Sequence, residues 1–192
     1  MTEETAVWSG GERVMMRACS EERTVAFPRF GHIRTWNMGH SEPATLPRYI
    51  PGTDRVDFFM GFGRGASLVV RLARSGLFAG KRRAKAIVQV VDALERIAAG
   101  PEPAPGAMRV DVWGEKDGGP AHLMSCGTGE MREITGLALS VGALMLGKRE
   151  LTVKGGGVYP PEGCLDAATF LAHLAERGVR GYEDLAMTRP TI

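Results

Sequence analysis

Apolar and polar positions change their period several times along the chain, and each change marks an element. Arg13–Cys19 (RVMMRAC) and Arg23–Phe27 (RTVAF) read as strands separated by a short polar turn, which predicts an opening hairpin. Ile33–Trp36 predicts a third short strand. Gly39–Pro51 holds three prolines, each lacking the N–H that a ladder needs, and reads mostly as a structured loop. Arg55–Met60 (RVDFFM) predicts one further strand. The period then becomes helical. Ala66–Leu77 carries Leu68, Val69, Leu72 and Ala73 at helical spacing and ends near Gly76. Arg83–Ala99 sets Ala84, Ile87, Val88, Val91, Leu94 and Ala98 in one stripe, with Lys85, Asp92 and Glu95 off it.

After the linker PEPAPGA from Pro101, Met108–Trp113 alternates at period two, and Ala121–Cys126 returns after a turn centred on Asp117–Gly118. That is a β-hairpin. Glu133–Leu146 follows as a helix apolar all round, with small residues at Gly136, Ala138, Ser140, Gly142 and Ala143, and this predicts a buried helix. Gly155–Gly157 make a flexible turn, and Pro160–Pro161 before Glu162 forms a rigid joint. Asp166 caps a last helix with Phe170, Leu171 and Leu174 on its core face, and Gly178 ends it. Strands and helices cluster separately. The expectation is an α+β fold with a mixed, largely antiparallel sheet, helices packed on one face and no complete Rossmann fold. It is expected as a single domain over 1–192 with a short linker near 100–107.

Composition adds bounds. The 192 residues are 44% hydrophobic and 24% charged, with a mean hydropathy of −0.09, an ordinary globular balance. No apolar run approaches the roughly 20 residues of a membrane span, and the polar start MTEETAVW is not a secretory signal. A net charge of +2 gives no ground for a nucleic-acid partner. Cys19, Cys126 and Cys164 are odd in number and widely spaced, so thiols in a reducing cytoplasm are expected, without metal.

Four segments carry candidate chemistry. Gly61, Gly63 and Ala66 match GxGxxA between a strand and a helix. The region about 20 residues on, where a second parallel strand should end in an acidic residue, is helical, so the structural reading is a glycine-rich turn. Arg64, Arg71, Arg74, Lys81, Arg82, Arg83 and Lys85 form a basic stretch; such a run can bind phosphate or nucleic acid, but with only Phe62 and Phe78 as aromatics it is read as a solvated face or a surface for an acidic partner. His40, Ser41, Glu42, Thr45, Leu46 and Arg48 place an imidazole, a carboxylate, two hydroxyls and a guanidinium in one loop. Arg48 can hold a carboxylate bidentately, and His40 and Glu42 can orient one another or exchange protons; the alternative is a loop that satisfies its own backbone. Glu162 reads as part of the rigid joint rather than as a ligand. His32, His122 and His173 read as structural or surface residues.

The run TGLALSVGALMLGKRELTVKGGGVYPPEGCLDAATFLAHLAERGV resembles the C-terminal part of the saccharopine dehydrogenase family, as does the hairpin RVDVWGEKDGGPAHLMSC before it. GHSEPATLPR resembles that family's TLPR-like loop. The resemblance covers roughly residues 20–180 by pattern. It implies an NAD(P)-dependent oxidoreductase acting on C–N bonds of amino-acid adducts such as saccharopine, with this chain as the substrate-binding and dimerising α+β part. The family's N-terminal Rossmann part has no counterpart here. The chain is therefore expected to bind no cofactor and to be inactive alone, working with a separate Rossmann domain or subunit. The resemblance makes Thr45, Leu46 and Arg48 the substrate contacts, with His40 and Glu42 beside them. The implied partners are a second copy in a cytoplasmic homodimer and a small amino-acid-derived substrate, with no nucleic acid or membrane. The alternatives are a non-catalytic scaffold that keeps the fold, and an independent nucleotide-binding protein using Gly61–Ala66.

Overall fold

The computed structural model describes residues 4–61, Lys85, Gln89 and 105–191. The expected helix Ala66–Leu77, the helix Arg83–Ala99 apart from Lys85 and Gln89, and the basic stretch apart from Lys85 lie outside the described residues. The chain divides into two compact units: Met1–Val25 with Ile33–Pro103, and Ala26–His32 with Ala104–Ile192. Helices and antiparallel strands occupy separate stretches, so the class is α+β.

In the first unit the opening hairpin is not the expected one. Strand β1 (Glu4–Ser9) pairs with β2 (Glu12–Arg17), from Glu4 opposite Arg17 to Ser9 opposite Glu12. Gly10 and Gly11 between them have φ of 62° and 77°. Two consecutive left-handed residues match the twist of an antiparallel pair, and glycine adopts them without a Cβ clash. Strand β5 (Arg55–Val56) adds to the other edge of β1. A second sheet holds β3 (Glu22–Phe27), β4 (Gly31–Asn37) and β6 (Phe59–Gly61) in that order. The expected single strand Arg55–Met60 is therefore two, and the chain changes sheet at Asp57–Phe58. Asn37, 2% exposed, fixes the crossing from β2 to β3: its Nδ2 donates to Arg17 O and its Oδ1 accepts from Glu21 N. A buried amide persists only when satisfied in this way.

Gly39–Pro51 is more ordered than a loop. It contains helix α1 (Glu42–Thr45) and a 3₁₀ turn at Leu46–Arg48. Pro43 and Pro47 are each the second residue of these two elements, within the opening turn where the missing N–H has no helical partner to lose.

In the second unit, β7 (Pro105–Lys116) and β8 (Gly119–Glu130) form the expected hairpin, longer at both ends. Lys116 faces Gly119, and Asp117 and Gly118 take φ of 55° and 79°. At its open end Gly106 faces Gly129. Helix α2 (Met131–Lys148) begins over this pair, and a Cβ on Gly106 or Gly129 would lie 2.5 Å from Met131 or Ile134. Glu130 caps α2 by accepting from Glu133 N at 2.6 Å. Helix α3 (Pro161–Cys164) leads to α4 (Ala167–Glu176), which Asp166 caps through Thr169 N, and Gly178 follows at φ 86°. Beyond it, Tyr182 exchanges both backbone hydrogen bonds with Cys126 of β8, and a Cβ on Gly127 would come within 2.9 Å of Arg180 O.

The prediction that α2 is buried all round does not hold. Val141 and Met145 are buried and pack with Leu174 of α4, flanked by Leu137, Ala138, Leu165 and Phe170. Leu139 on another face is 75% exposed, and Leu144 and Leu146 are exposed with it. Composition announced a helix without a polar face, but it carries no information on how many sides have a neighbour.

Candidate functional site

The loop after β4 brings part of the expected site together. His40 Nδ1 pairs with Glu42 Oε2, and Ser41 Oγ lies 3.4 Å from the same oxygen. The His40 ring stacks on Phe58, with centroids 4.0 Å apart and planes at 14°. Phe58 occupies the β5–β6 break, where its carbonyl accepts from Met38 N. Gly39 is tight against β1, for a Cβ there would sit 3.1 Å from the hydroxyl of Thr5, which is buried without a hydrogen-bond partner among the described residues. The remaining residues have separate roles. Thr45 Oγ1 donates to Ser41 O, so this hydroxyl serves its own helical turn. Leu46 is half-buried, and its carbonyl accepts from Tyr49 N and Ile50 N. Arg48 is exposed at the end of the 3₁₀ turn and has no partner among the described residues.

A second cluster, on the hairpin, was missed. Asp111 accepts from Arg109 through two contacts, Nε–Oδ2 at 2.7 Å and Nη2–Oδ1 at 2.8 Å, the bidentate geometry of a guanidinium on a carboxylate. Arg109 Nη1 also donates to Ala26 O at 3.0 Å. His122 Nε2 meets Asp111 Oδ1 at 2.8 Å, and the His122 ring lies on Trp113, centroids 4.9 Å apart at 7°. Burial pushes the Asp111 carboxyl up, but hydrogen bonds from Arg109 and His122 outweigh it and leave it below the ordinary carboxylate range. His122 therefore does have close neighbours. The signal was in the sequence: a turn centred on Asp117–Gly118 sets Trp113 opposite His122, on the face shared by Arg109 and Asp111. His173 is also engaged, near Glu150 at 3.5 Å and Glu176 at 3.2 Å, whereas His32 is exposed.

Of the glycine-rich segment, Gly61 lies among the described residues, at the end of β6. A pyrophosphate loop follows a strand of a parallel sheet. β6 instead pairs antiparallel with β4, Gly61 facing Thr35. A Cβ on Gly61 would lie 2.8 Å from Ile33 Cγ2 and 3.2 Å from Arg34 O, so close packing within the sheet accounts for this glycine. Gly63 and Ala66 lie outside the described residues. Among the described residues, no group of three or more His, Cys, Asp and Glu side chains is arranged to hold a metal ion, and no helix is long and apolar enough to cross a membrane.

No protein-family model and no curated protein matches the chain.

Proposed function

We propose that the chain is the substrate-binding and dimerising part of a saccharopine dehydrogenase-like NAD(P)-dependent oxidoreductase, and that a separate Rossmann-fold domain or subunit carries the nucleotide. The observation that carries this reading is the His40–Arg48 segment. It carries an exposed guanidinium at Arg48 and, in the same segment, an imidazole already paired to a carboxylate, on backbone shaped by two short helical turns, each with a proline at its second position. An amino-diacid presents carboxylates and an amine, which these groups match in charge and hydrogen-bonding capacity. Arg48 binds a carboxylate, and the His40–Glu42 pair meets the amine. Hydride transfer belongs to the nucleotide-carrying partner, and no residue of this chain is assigned to it. Saccharopine titrated into the isotope-labelled chain should shift the amides of 39–49. Arg48→Ala should weaken binding by about tenfold or more, the loss expected for one charge-assisted hydrogen-bonded contact. Unshifted amides, or equal affinity in the variant, would refute the site.

The dimer is read from the hairpin. Met108, Val110, Val112 and Leu123 share one face of β7–β8, and all are exposed. An apolar strip of this length without a charged residue matches a copy of itself. Sedimentation of the wild-type chain should give a dimer, and Val112→Glu should give a monomer with an unchanged far-ultraviolet spectrum. A monomeric wild type removes the dimer from the proposal.

A further inference from the structure

We propose that Phe58 is a positioning residue which, together with Glu42, holds His40 with its proton on Nδ1 and presents Nε2 as a hydrogen-bond acceptor for the ammonium group of a ligand. This rests on reading the His40–Arg48 segment as the ligand-binding loop. The argument begins with the pair itself. An ionised carboxylate only accepts hydrogen bonds, so the Nδ1 that contacts Glu42 must be the donor. In a neutral imidazole the other nitrogen is then a lone pair, because the bond made by one nitrogen sets the state of the other. Nε2 has no partner among the described residues.

One hydrogen bond leaves a half-exposed ring free to swing about it. The near-parallel contact with Phe58, 4.0 Å between centroids, removes that freedom by fixing the plane of the ring. Phe58 is itself held, because it sits where the chain passes from β5 to β6 and its carbonyl takes the amide of Met38, two residues before His40. The change of sheet at Asp57–Phe58 thus places an aromatic face under the imidazole. A continuous strand over Arg55–Met60 would alternate its side chains regularly and would lack this break. The acceptor nitrogen selects a protonated amine, while Arg48 takes a carboxylate, so the loop discriminates an amino-diacid from a plain diacid.

The test is nitrogen-15 spectroscopy of histidine-labelled full chain at about pH 8, where an imidazole is neutral, alongside titrations with saccharopine and with glutarate, a diacid without an amine. Wild type should show the Nδ1–H tautomer at His40. Phe58→Leu should convert it to a mixture and weaken saccharopine binding by about fivefold, the worth of one well-placed hydrogen bond, with glutarate binding unchanged. Phe58→Tyr, which keeps the ring, should restore both. A wild-type Nε2–H tautomer, or a Phe58→Leu variant with wild-type tautomer and affinity, would overturn the inference while leaving the binding reading intact. The expected tautomer without any saccharopine binding would overturn the acceptor role and the binding reading together.

Discussion

Met145→Ala is expected to lower the unfolding free energy by about 2–5 kcal/mol, the range for truncating a buried methionine, leucine or isoleucine. Met145 is 1% exposed and sits with Val141 at 1% and Leu174 at 6%. These three side chains join α2 to α4, and the partly buried residues around them all depend on the same contact. Because the outer side of α2 is exposed at Leu139, Leu144 and Leu146, nothing on that side compensates when the contact is lost. Methionine is flexible and its neighbours can close part of the gap, which favours the lower half of the range. Urea unfolding followed by circular dichroism should show the midpoint falling with an unchanged slope. A loss below about 1 kcal/mol would mean that this cluster is not what holds the two helices together.

Asp111→Ala is expected to cost about 2–3 kcal/mol, below the loss seen when a fully buried ion pair is broken, because both partners retain some solvent. The Arg109 and Asp111 side chains are 19% and 15% exposed. Without the carboxylate, Arg109 keeps only the Ala26 carbonyl among the described residues, and His122 loses its anchor beside Trp113. The pH dependence has a defined sign. The Asp111 carboxyl is held below its ordinary value of 3.8 in the folded protein, so the folded state favours the ionised form. The resulting stabilisation is fully present above that ordinary value and is lost as pH falls through the lower folded one. Thermal midpoints of the wild type should drop as the solution is acidified through this window, and those of Asp111→Ala should drop less. Parallel curves for the two proteins would show that Asp111 is not the linked group.

The parts of the fold legible in the sequence were those set by local rules. Asp117–Gly118 fixed both the β7–β8 turn and, through it, the facing of Trp113 and His122. Asp166 and Gly178 bounded α4 because capping is chemistry between near neighbours. The errors came where distant segments decide. Gly10–Gly11 pairs β2 with β1, and the polar start of the chain concealed a strand whose Val7 is buried. Arg55–Met60 looks continuous, yet its ends join different sheets. Of the candidate site, His40 and Glu42 could be joined from their spacing alone, whereas Phe58, brought in by the sheet change, could not.

The bridge between Cys126 and Tyr182 has a consequence for solubility. A two-stranded ribbon exposes unpaired N–H and C=O groups along both outer edges, and open edges invite other chains to add strands. Tyr182 occupies the outer edge of β8 at Cys126, and the backbone at Arg180 runs so close that position 127 has no room for a side chain. The segment from Arg180 therefore covers the outer edge of β8 at Cys126–Gly127 against misassociation. A protease that removed the residues from Arg180 onward would uncover that edge together with the Cys126 thiol, and the trimmed species would aggregate under conditions in which the intact chain stays dispersed.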